Sequence, residues 1–298
     1  MAFREKLKKS SPNVAESSIK TYLFNIKRLA KLTGRESTPE KGSRWLFGKR
    51  LFKAVEEMPL NARKMLSSAA VKAARAYGVK PRKWLDLMNL SSKQYSENRD
   101  KRVKSKREEM LWPKDGYKSI LGAAKTLEKK LPIKKLEEYN FADLRKLQAV
   151  WLLYFYGTHA PRLIETVRID GKGPNTLTKG RSGFLLVLKD YKTAKTRGAT
   201  RIKLDKSISK ITSDFLKVVR RLTDHGYLLS NARNAKISKV GLSTLLRRTT
   251  AKAGLKGISV QLIRVLKSTA NRNIIEKARA LEQEMGHGSK QSLQYSKK

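Results

Sequence analysis

Two arginines, a histidine and a tyrosine stand in this sequence where they could act together on a phosphodiester. Arg162 follows a long apolar segment in YGTHAPRLIETVRID, Arg264 lies in VQLIRVLKSTA, and His287 and Tyr295 come close to the end of the chain. Arginine forks neutralise the non-bridging oxygens of a phosphate as charge builds in the transition state. A tyrosine hydroxyl can attack the phosphorus when cationic neighbours favour its ionised form. Such a phosphotyrosine bond stores energy, so resealing would need no ATP.

Strand cleavage also needs a proton donor for the leaving sugar oxygen. Lys192 and Lys195 flank a turn between two predicted strands, and Glu165 lies three residues after Arg162, within reach of the same helical face. The sequence has no phosphate-binding loop of the G-x-x-x-x-G-K-[ST] kind, no H-E-x-x-H and no cluster of acidic residues. We therefore expect chemistry on phosphodiesters that uses no metal, no ATP and no other cofactor.

The charge of the chain favours nucleic acid as the partner. Among 298 residues, 68 are Lys or Arg and 25 are Asp or Glu, which gives a net charge of +43. A polyanion relieves the self-repulsion of such a protein, because each basic side chain on a phosphate releases counterions. A ribosomal-type protein, a basic structural protein and a membrane-surface binder are the other classes that this charge allows. The absence of cysteine and the presence of only three histidines disfavour zinc sites.

Hydropathy along the chain predicts a protein without membrane spans. No run approaches the roughly 18 apolar residues that a spanning helix needs, and the start, MAFREKLKKSSPN, has no apolar stretch of the kind found in secretory signals. We expect an intracellular protein that is not secreted, located in the cytoplasm of a prokaryotic host or in a host nucleus.

The elements that must position these residues are mostly helical. Apolar periodicity predicts helices over 19–32 and 60–77, with a further helix over 45–58. Residues 1–95 are therefore predicted to form a small helical domain with basic outer faces. A basic, charged linker is predicted to follow over 96–110. In the remainder, 111–298, the patterns predict helices over 116–131, 141–157, 213–222, 239–254 and 260–273, and two strands over 183–193 and 199–204 joined by the turn AKTRG. The expected fold class is mainly α, with a small antiparallel sheet in an α+β second domain.

Four segments in this second domain resemble the sequence boxes of the tyrosine recombinases, the phage integrase family. LQAVWLLYFYGTHAPRLIETVRI resembles the first arginine box, and GFLLVLKDYKTAKTRGATRIKL resembles the hairpin of the catalytic lysine. The run ending in QLIR resembles the H-x-x-R box, and MGHGSKQSLQY resembles the final Leu-Gly-His with its nucleophilic tyrosine. The four occur in the family's order over nearly the whole second half, and the basic helical first domain is similar to the family's core-binding domain.

The resemblance implies a role for each of these residues. Arg162 and Arg264 would clamp the scissile phosphate. Lys192 would protonate the leaving 5′ oxygen, with Lys195 as the alternative lysine, and Tyr295 would form the 3′-phosphotyrosine bond.

Three further residues would support this chemistry. His287 would hydrogen-bond the phosphate or position Tyr295, and Glu165 would hold an active-site residue in place. Gln261 stands where the family has the histidine of H-x-x-R. Its amide can hydrogen-bond a phosphate oxygen but cannot exchange protons. The proton of Tyr295 would then pass to water or to His287.

At the level of the whole protein, the resemblance implies an enzyme that exchanges strands of double-stranded DNA. The two domains would form a C-shaped clamp around the duplex, with a homotetramer on DNA and a monomer free in solution. Integration or excision of a viral or other mobile element is the expected use. The alternatives are a relaxing enzyme like the type IB topoisomerases, a recombinase relative that binds DNA without cutting it, and a generic basic protein that binds DNA or RNA.

Overall fold

The computed structural model of the chain describes residues 3–36, 38, 42–162, 164–191 and 193–286. The chain divides into two compact units, Met1–Lys104 and Ser105–Lys298, here termed the N-terminal and C-terminal units. The mainly α fold class with a small antiparallel sheet is confirmed. The C-shaped clamp and the functions of the two domains stay predictions.

The N-terminal unit is built around one helix that is rich in alanine. Its elements are α1 (Phe3–Lys9), α2 (Glu16–Leu32), a one-turn 3-10 helix (Arg44–Phe47), α3 (Lys49–Glu56), α4 (Leu60–Ala76) and α5 (Arg82–Asp100). Helix α4 contacts α1, α2, α3 and α5. It buries Ala69, Ala70, Ala73 and Ala74, and these small side chains let neighbouring helices approach closely.

In the C-terminal unit the most apolar segment forms the central helix. The elements before the sheet are α6 (Lys106–Leu111), α7 (Lys118–Glu128), a 3-10 turn (Leu136–Glu138) and α8 (Phe141–Thr158). Those after it are α10 (Lys206–Leu222), α11 (Lys239–Lys252), α12 (Val260–Ala270) and α13 (Arg272–Glu284). Helix α8 packs against α7, α10, α11 and α12, which explains why its sequence is apolar on nearly every face.

Aromatic rings fix the position of α8 in this core. Trp151 stacks on Phe155 and on Phe215 of α10, with ring centroids 4.9 and 5.3 Å apart. The indole Nε1 of Trp151 donates a hydrogen bond of 3.0 Å to Thr212 Oγ1, so its one polar atom is satisfied inside the core. The end of α8 is therefore held rigidly where the chain turns toward Arg162.

The sheet has the antiparallel order β1-β2-β3 and packs one face on the core. Its strands are β1 (Asn175–Gly180), β2 (Gly183–Leu188) and β3 (Thr200–Lys203), with the short helix α9 (Ala194–Arg197) between β2 and β3. In β2 the side chains of Phe184, Leu186 and Leu188 are buried in alternation. The predicted strands 183–193 and 199–204 are thus shorter than expected. The predicted turn AKTRG contains one helical turn closed by Gly198 at φ 70°.

The stretch 96–110, predicted as a linker, is largely helical. Helix α5 continues to Asp100, and α6 begins at Lys106 with Ser105 as its N-cap. Only residues 101–105 lie between the two helices, and the role of 96–110 as a linker between domains stays a prediction. The boundary between the two units falls inside this short connection.

No helix in the described ranges is both long and apolar enough to cross a membrane. Within the same ranges, no group of three or more His, Cys, Asp or Glu side chains is arranged to hold a metal ion.

Candidate active site

The end of α8 is capped by a lysine from α12. Lys267 Nζ donates hydrogen bonds to the carbonyl oxygens of Thr158 at 2.5 Å and His159 at 3.0 Å. These carbonyls belong to the last turn of α8, where no further backbone N–H is available to them. Burial lowers the pKa of Lys267. The contact ties α8 to the helix that carries Arg264.

The turn that follows contains a strained residue. Ala160 has φ 45°, in the left-handed region, and directly precedes Pro161. Left-handed backbone costs a non-glycine residue about 1–2 kcal/mol, and such strain persists only where the surroundings impose it. His159 also holds the turn in place, because its Nε2 accepts a hydrogen bond of 3.2 Å from the backbone N–H of Asp205. This turn presents Arg162.

Tyr156, on the last turn of α8, supports the backbone of Arg162. Its hydroxyl donates a hydrogen bond of 3.3 Å to the Arg162 carbonyl oxygen. Burial raises the pKa of Tyr156, the charge of Glu165 raises it further, and Arg264 acts in the opposite direction. The phenol is fully buried and stays protonated, so it serves as a scaffold and is unsuited to attack a phosphate.

Three arginines from distant segments lie close enough for their charges to interact. The pKa of Arg264 is lowered by burial, and then by repulsion from the charges of Arg162 and Arg197. We term these three the arginine cluster. Within the described ranges, none of the three forms an ion pair with a carboxylate. Such mutual repulsion is relieved when an anion binds, so the cluster has the electrostatics of a phosphate site.

Gln261 and Glu165 border the cluster. Gln261 lies one helical turn before Arg264, and its Oε1 is 3.5 Å from Arg264 Nη1, at the outer limit of a hydrogen bond. Glu165 Oε2 is buried and has no hydrogen-bond partner among the described residues. An unsatisfied buried carboxylate oxygen is costly and is a common feature of functional sites. The predicted role of Glu165 in holding an active-site residue stays a prediction.

A buried asparagine fixes the end of β2. Asn175 Nδ2 donates to Thr166 Oγ1 and to the Asp190 carbonyl oxygen, both at 2.7 Å. Its Oδ1 accepts the backbone N–H groups of Lys189 and Asp190, both at 2.9 Å. Both N–H donors and both acceptor positions of the Asn175 amide are therefore used. These hydrogen bonds hold the start of the β2–β3 connection in one conformation.

The other end of the β2–β3 connection is closed by a tyrosine. Tyr191 Oη donates to the Gly198 carbonyl oxygen at 2.9 Å and accepts from Thr200 Oγ1 at 3.0 Å. The bridge spans the segment that contains α9. Arg197, the last residue of α9, is thereby held close enough to Arg264 for their charges to interact.

The remaining predicted residues are placed only in part. Lys195 lies within α9. Lys192, His287 and Tyr295 lie outside the described residues. Their roles stay predictions.

Two residues of this site do not stand out in the sequence. Arg197 is one of 68 basic residues, and its only signal is a position in the connection between two strands. Lys267 lies three residues after Arg264 on α12, so helical spacing places both on the same side of the helix. That spacing could have marked Lys267 as a neighbour of the site.

No model of a known protein family matches the chain, and no curated protein sequence matches it. Among solved structures, the crystal structure of XerA recombinase, a tyrosine recombinase, is similar to it. The two are 13% identical, the alignment covers 91% of this chain and 84% of that chain, and the TM-score is 0.38. A likeness this weak transfers neither an activity nor a residue role.

The two described histidines give the fold a pH dependence. Burial lowers the pKa of both His159 and His225. Each accepts a backbone hydrogen bond, His159 from Asp205 at 3.2 Å and His225 from Tyr227 at 3.0 Å, which requires a neutral nitrogen. The unfolded chain therefore binds more protons below about pH 6.5. Their contribution to stability is present above that pH and is lost as the pH falls through the folded-state pKa values.

We expect the melting temperature to fall between about pH 7.5 and about pH 5.5, and to fall less in the double variant His159→Gln, His225→Gln. Glutamine keeps an acceptor oxygen but does not titrate. Calorimetry at both pH values measures the difference. An equal fall in the variant and the unaltered protein would contradict this assignment.

Proposed function

We propose that this chain is a tyrosine-type site-specific DNA recombinase that cuts and rejoins strands through a 3′-phosphotyrosine intermediate. The observation that carries the proposal is the arginine cluster: the charges of Arg162 and Arg197 act on Arg264, and among the described residues none of the three forms an ion pair with a carboxylate. Metal-free phosphoryl transfer needs cationic forks of this kind around the phosphate.

In the proposed reaction, the oxygen of Tyr295 attacks the phosphorus of one strand. The bond from phosphorus to the 5′ oxygen breaks, and that oxygen leaves as a hydroxyl with a proton from Lys192 or, as the alternative, Lys195. The tyrosine proton passes to water or to His287. A 5′-hydroxyl of a second DNA strand then attacks the phosphotyrosine and returns a proton to the lysine. The bond from phosphorus to the oxygen of Tyr295 breaks, and that oxygen takes a proton from water or from His287, so no net bond energy is spent.

The arginines would act on the charge that develops on the phosphate oxygens. Their forks present paired N–H donors in a plane that matches phosphate geometry. Gln261 would supply one further hydrogen bond to a phosphate oxygen. Glu165 and Tyr156 would keep the turn that carries Arg162 in place.

Double-stranded DNA is the proposed substrate, and the net charge of +43 supports it. In this proposal residues 1–95 grip the duplex and residues 111–298 carry the chemistry. The active species is a homotetramer on DNA that assembles from monomers. The biological use is integration or excision of a viral or other mobile element inside a cell.

Covalent trapping tests this function. The protein is incubated, in the presence of EDTA, with a nicked duplex in which the short fragment that carries the freed 5′-hydroxyl diffuses away after cleavage. We expect a protease-sensitive protein–DNA band on a denaturing gel that is absent in Tyr295→Phe, because phenylalanine has no nucleophilic oxygen. Tyr95→Phe, which changes a tyrosine of the N-terminal unit, is the matched control and should retain the band.

Other outcomes would favour the alternatives. Tight, salt-dependent binding without any band would support a relative that binds DNA but no longer cuts it. Relaxation of a supercoiled plasmid by a monomer, with little sequence preference and no strand exchange, would support a relaxing enzyme like the type IB topoisomerases.

A further inference from the structure

The N-terminal unit contains a cavity that the proposed chemistry does not use. It lies between the 3-10 helix Arg44–Phe47 and the first turns of α3 and α5. Its volume is about 350 Å³, within the range of sites for small molecules. Three aromatic side chains line it, Phe47, Phe52 and Trp84. We term it the basic cavity, because five cations share the lining: Lys49, Lys53, Lys80, Arg82 and Lys83.

The aromatic part of the basic cavity is preformed. Trp84 Nε1 donates a hydrogen bond of 2.9 Å to the Leu46 carbonyl oxygen, which fixes the indole beneath the cavity. Phe52 packs on Trp84 with ring centroids 5.1 Å apart. Phe47 is 40% exposed, so one aromatic ring of this lining remains accessible to a ligand.

The cations around these rings are largely unneutralised. Lys53 forms an ion pair of 3.8 Å with Glu57, and both side chains are solvent-exposed. Among the described residues, the other four cations form no ion pair with a carboxylate. A ligand that fits must therefore carry negative charge next to a flat apolar group, since charge alone would leave the aromatic rings unused.

We propose that the basic cavity binds one unpaired nucleotide, with the base against Phe47 and the phosphates among the cations. In a duplex the faces of the bases are covered by their neighbours, so only an unpaired or extruded base can stack on an aromatic ring. The proposal rests on the proposed function in taking DNA as the partner. It adds to the proposed catalytic site a second DNA contact, located in the N-terminal unit, that binds only a base that is unpaired.

Binding of two matched duplexes tests the inference. One is fully paired and the other carries a single bulged 2-aminopurine, and both are titrated with the Tyr295→Phe protein so that no cleavage intervenes. We expect about tenfold tighter binding of the bulged duplex, with quenching of the 2-aminopurine fluorescence on stacking. Phe47→Ala should remove both the preference and the quenching.

Phe24→Ala is the matched control, because Phe24 is an exposed phenylalanine on α2 of the same unit. It should keep the preference. Equal affinity of the unaltered cavity for both duplexes, or an equal loss for both in Phe47→Ala, would overturn the proposal. Failure of covalent trapping with the base preference intact would overturn the proposed catalytic function alone. Absence of binding to either duplex would overturn both.

Discussion

Replacing Arg264 by glutamine is expected to lower the rate of strand cleavage by about 10³-fold and to raise the melting temperature of the free protein. The rate falls because one cationic fork on the developing phosphate charge is lost. The stability rises because the pKa of Arg264 is lowered by burial of its charge and then by repulsion from Arg162 and Arg197, and an uncharged side chain removes both costs. An increase of about 2 °C is expected for a domain of this size.

Single-turnover cleavage and calorimetry without DNA measure the two effects. Arg248→Gln is the matched control, since Arg248 is an exposed arginine on α11 of the same unit. We expect the control to leave the melting temperature unchanged. A lower melting temperature in Arg264→Gln would mean that Arg264 serves the fold, and it would contradict the interpretation of the cluster as a phosphate site.

Replacing Arg197 by glutamine is expected to lower the rate of cleavage by about 10²-fold with little change in affinity for duplex DNA. Arg197 is exposed, and its charge interacts with that of Arg264. The hydrogen bond from Tyr191 to the Gly198 carbonyl oxygen closes the segment that contains α9 and fixes Arg197 there. An arginine in this position contributes mainly when negative charge develops on the phosphate, so its loss affects the rate more than the binding.

Arg201→Gln separates this effect from the general loss of a basic residue. Arg201 lies on β3, four residues after Arg197, and is also exposed. We expect it to retain the rate of cleavage. Equal losses of rate in the two variants, or a loss of duplex affinity in Arg197→Gln that accounts for the slower cleavage, would show that Arg197 acts as an ordinary phosphate contact.

The sequence predicts the helical core well because its signal is strong and local. Helix α8 is apolar on nearly every face, which requires partners on all sides, and the structure provides them. Arg162 and Arg264, the two arginines of the cluster that were chosen from the sequence, lie close enough for their charges to interact although about a hundred residues separate them in the chain. Order and spacing of motifs were needed to pair them, since composition alone does not distinguish them from other arginines.

Elements with weak apolar patterns were missed. Strand β1, with the sequence NTLTKG, buries only Asn175 and Leu177, and its pairing depends on β2 and on the hydrogen bonds of the Asn175 side chain. These contacts join residues that are distant in sequence, so a local pattern of apolar residues does not reveal them. Helix α13 buries no residue. It therefore packs no apolar face on a core.

The helices within the charged stretch 96–110 were missed for a different reason. Glu, Arg and Lys are good helix formers, so a high charge does not by itself end a helix. Ser105 and Glu108 form a capping box, a signal that is visible in the sequence and marks the start of α6. Arg197 could not be foreseen in this way, because its position depends on the left-handed Gly198 and on the Tyr191 bridge.

Mapping the residue that becomes linked to DNA tests the central claim most directly. The trapped adduct is digested with protease and nuclease, and the peptide that retains a nucleotide is sequenced by mass spectrometry. The proposed function predicts a single modified peptide from the end of the chain, with the phosphate on Tyr295 and the linkage to the 3′ side of the break. A nucleotide on any other of the ten tyrosines, a linkage to the 5′ side of the break, or an adduct that forms only with divalent metal would contradict it.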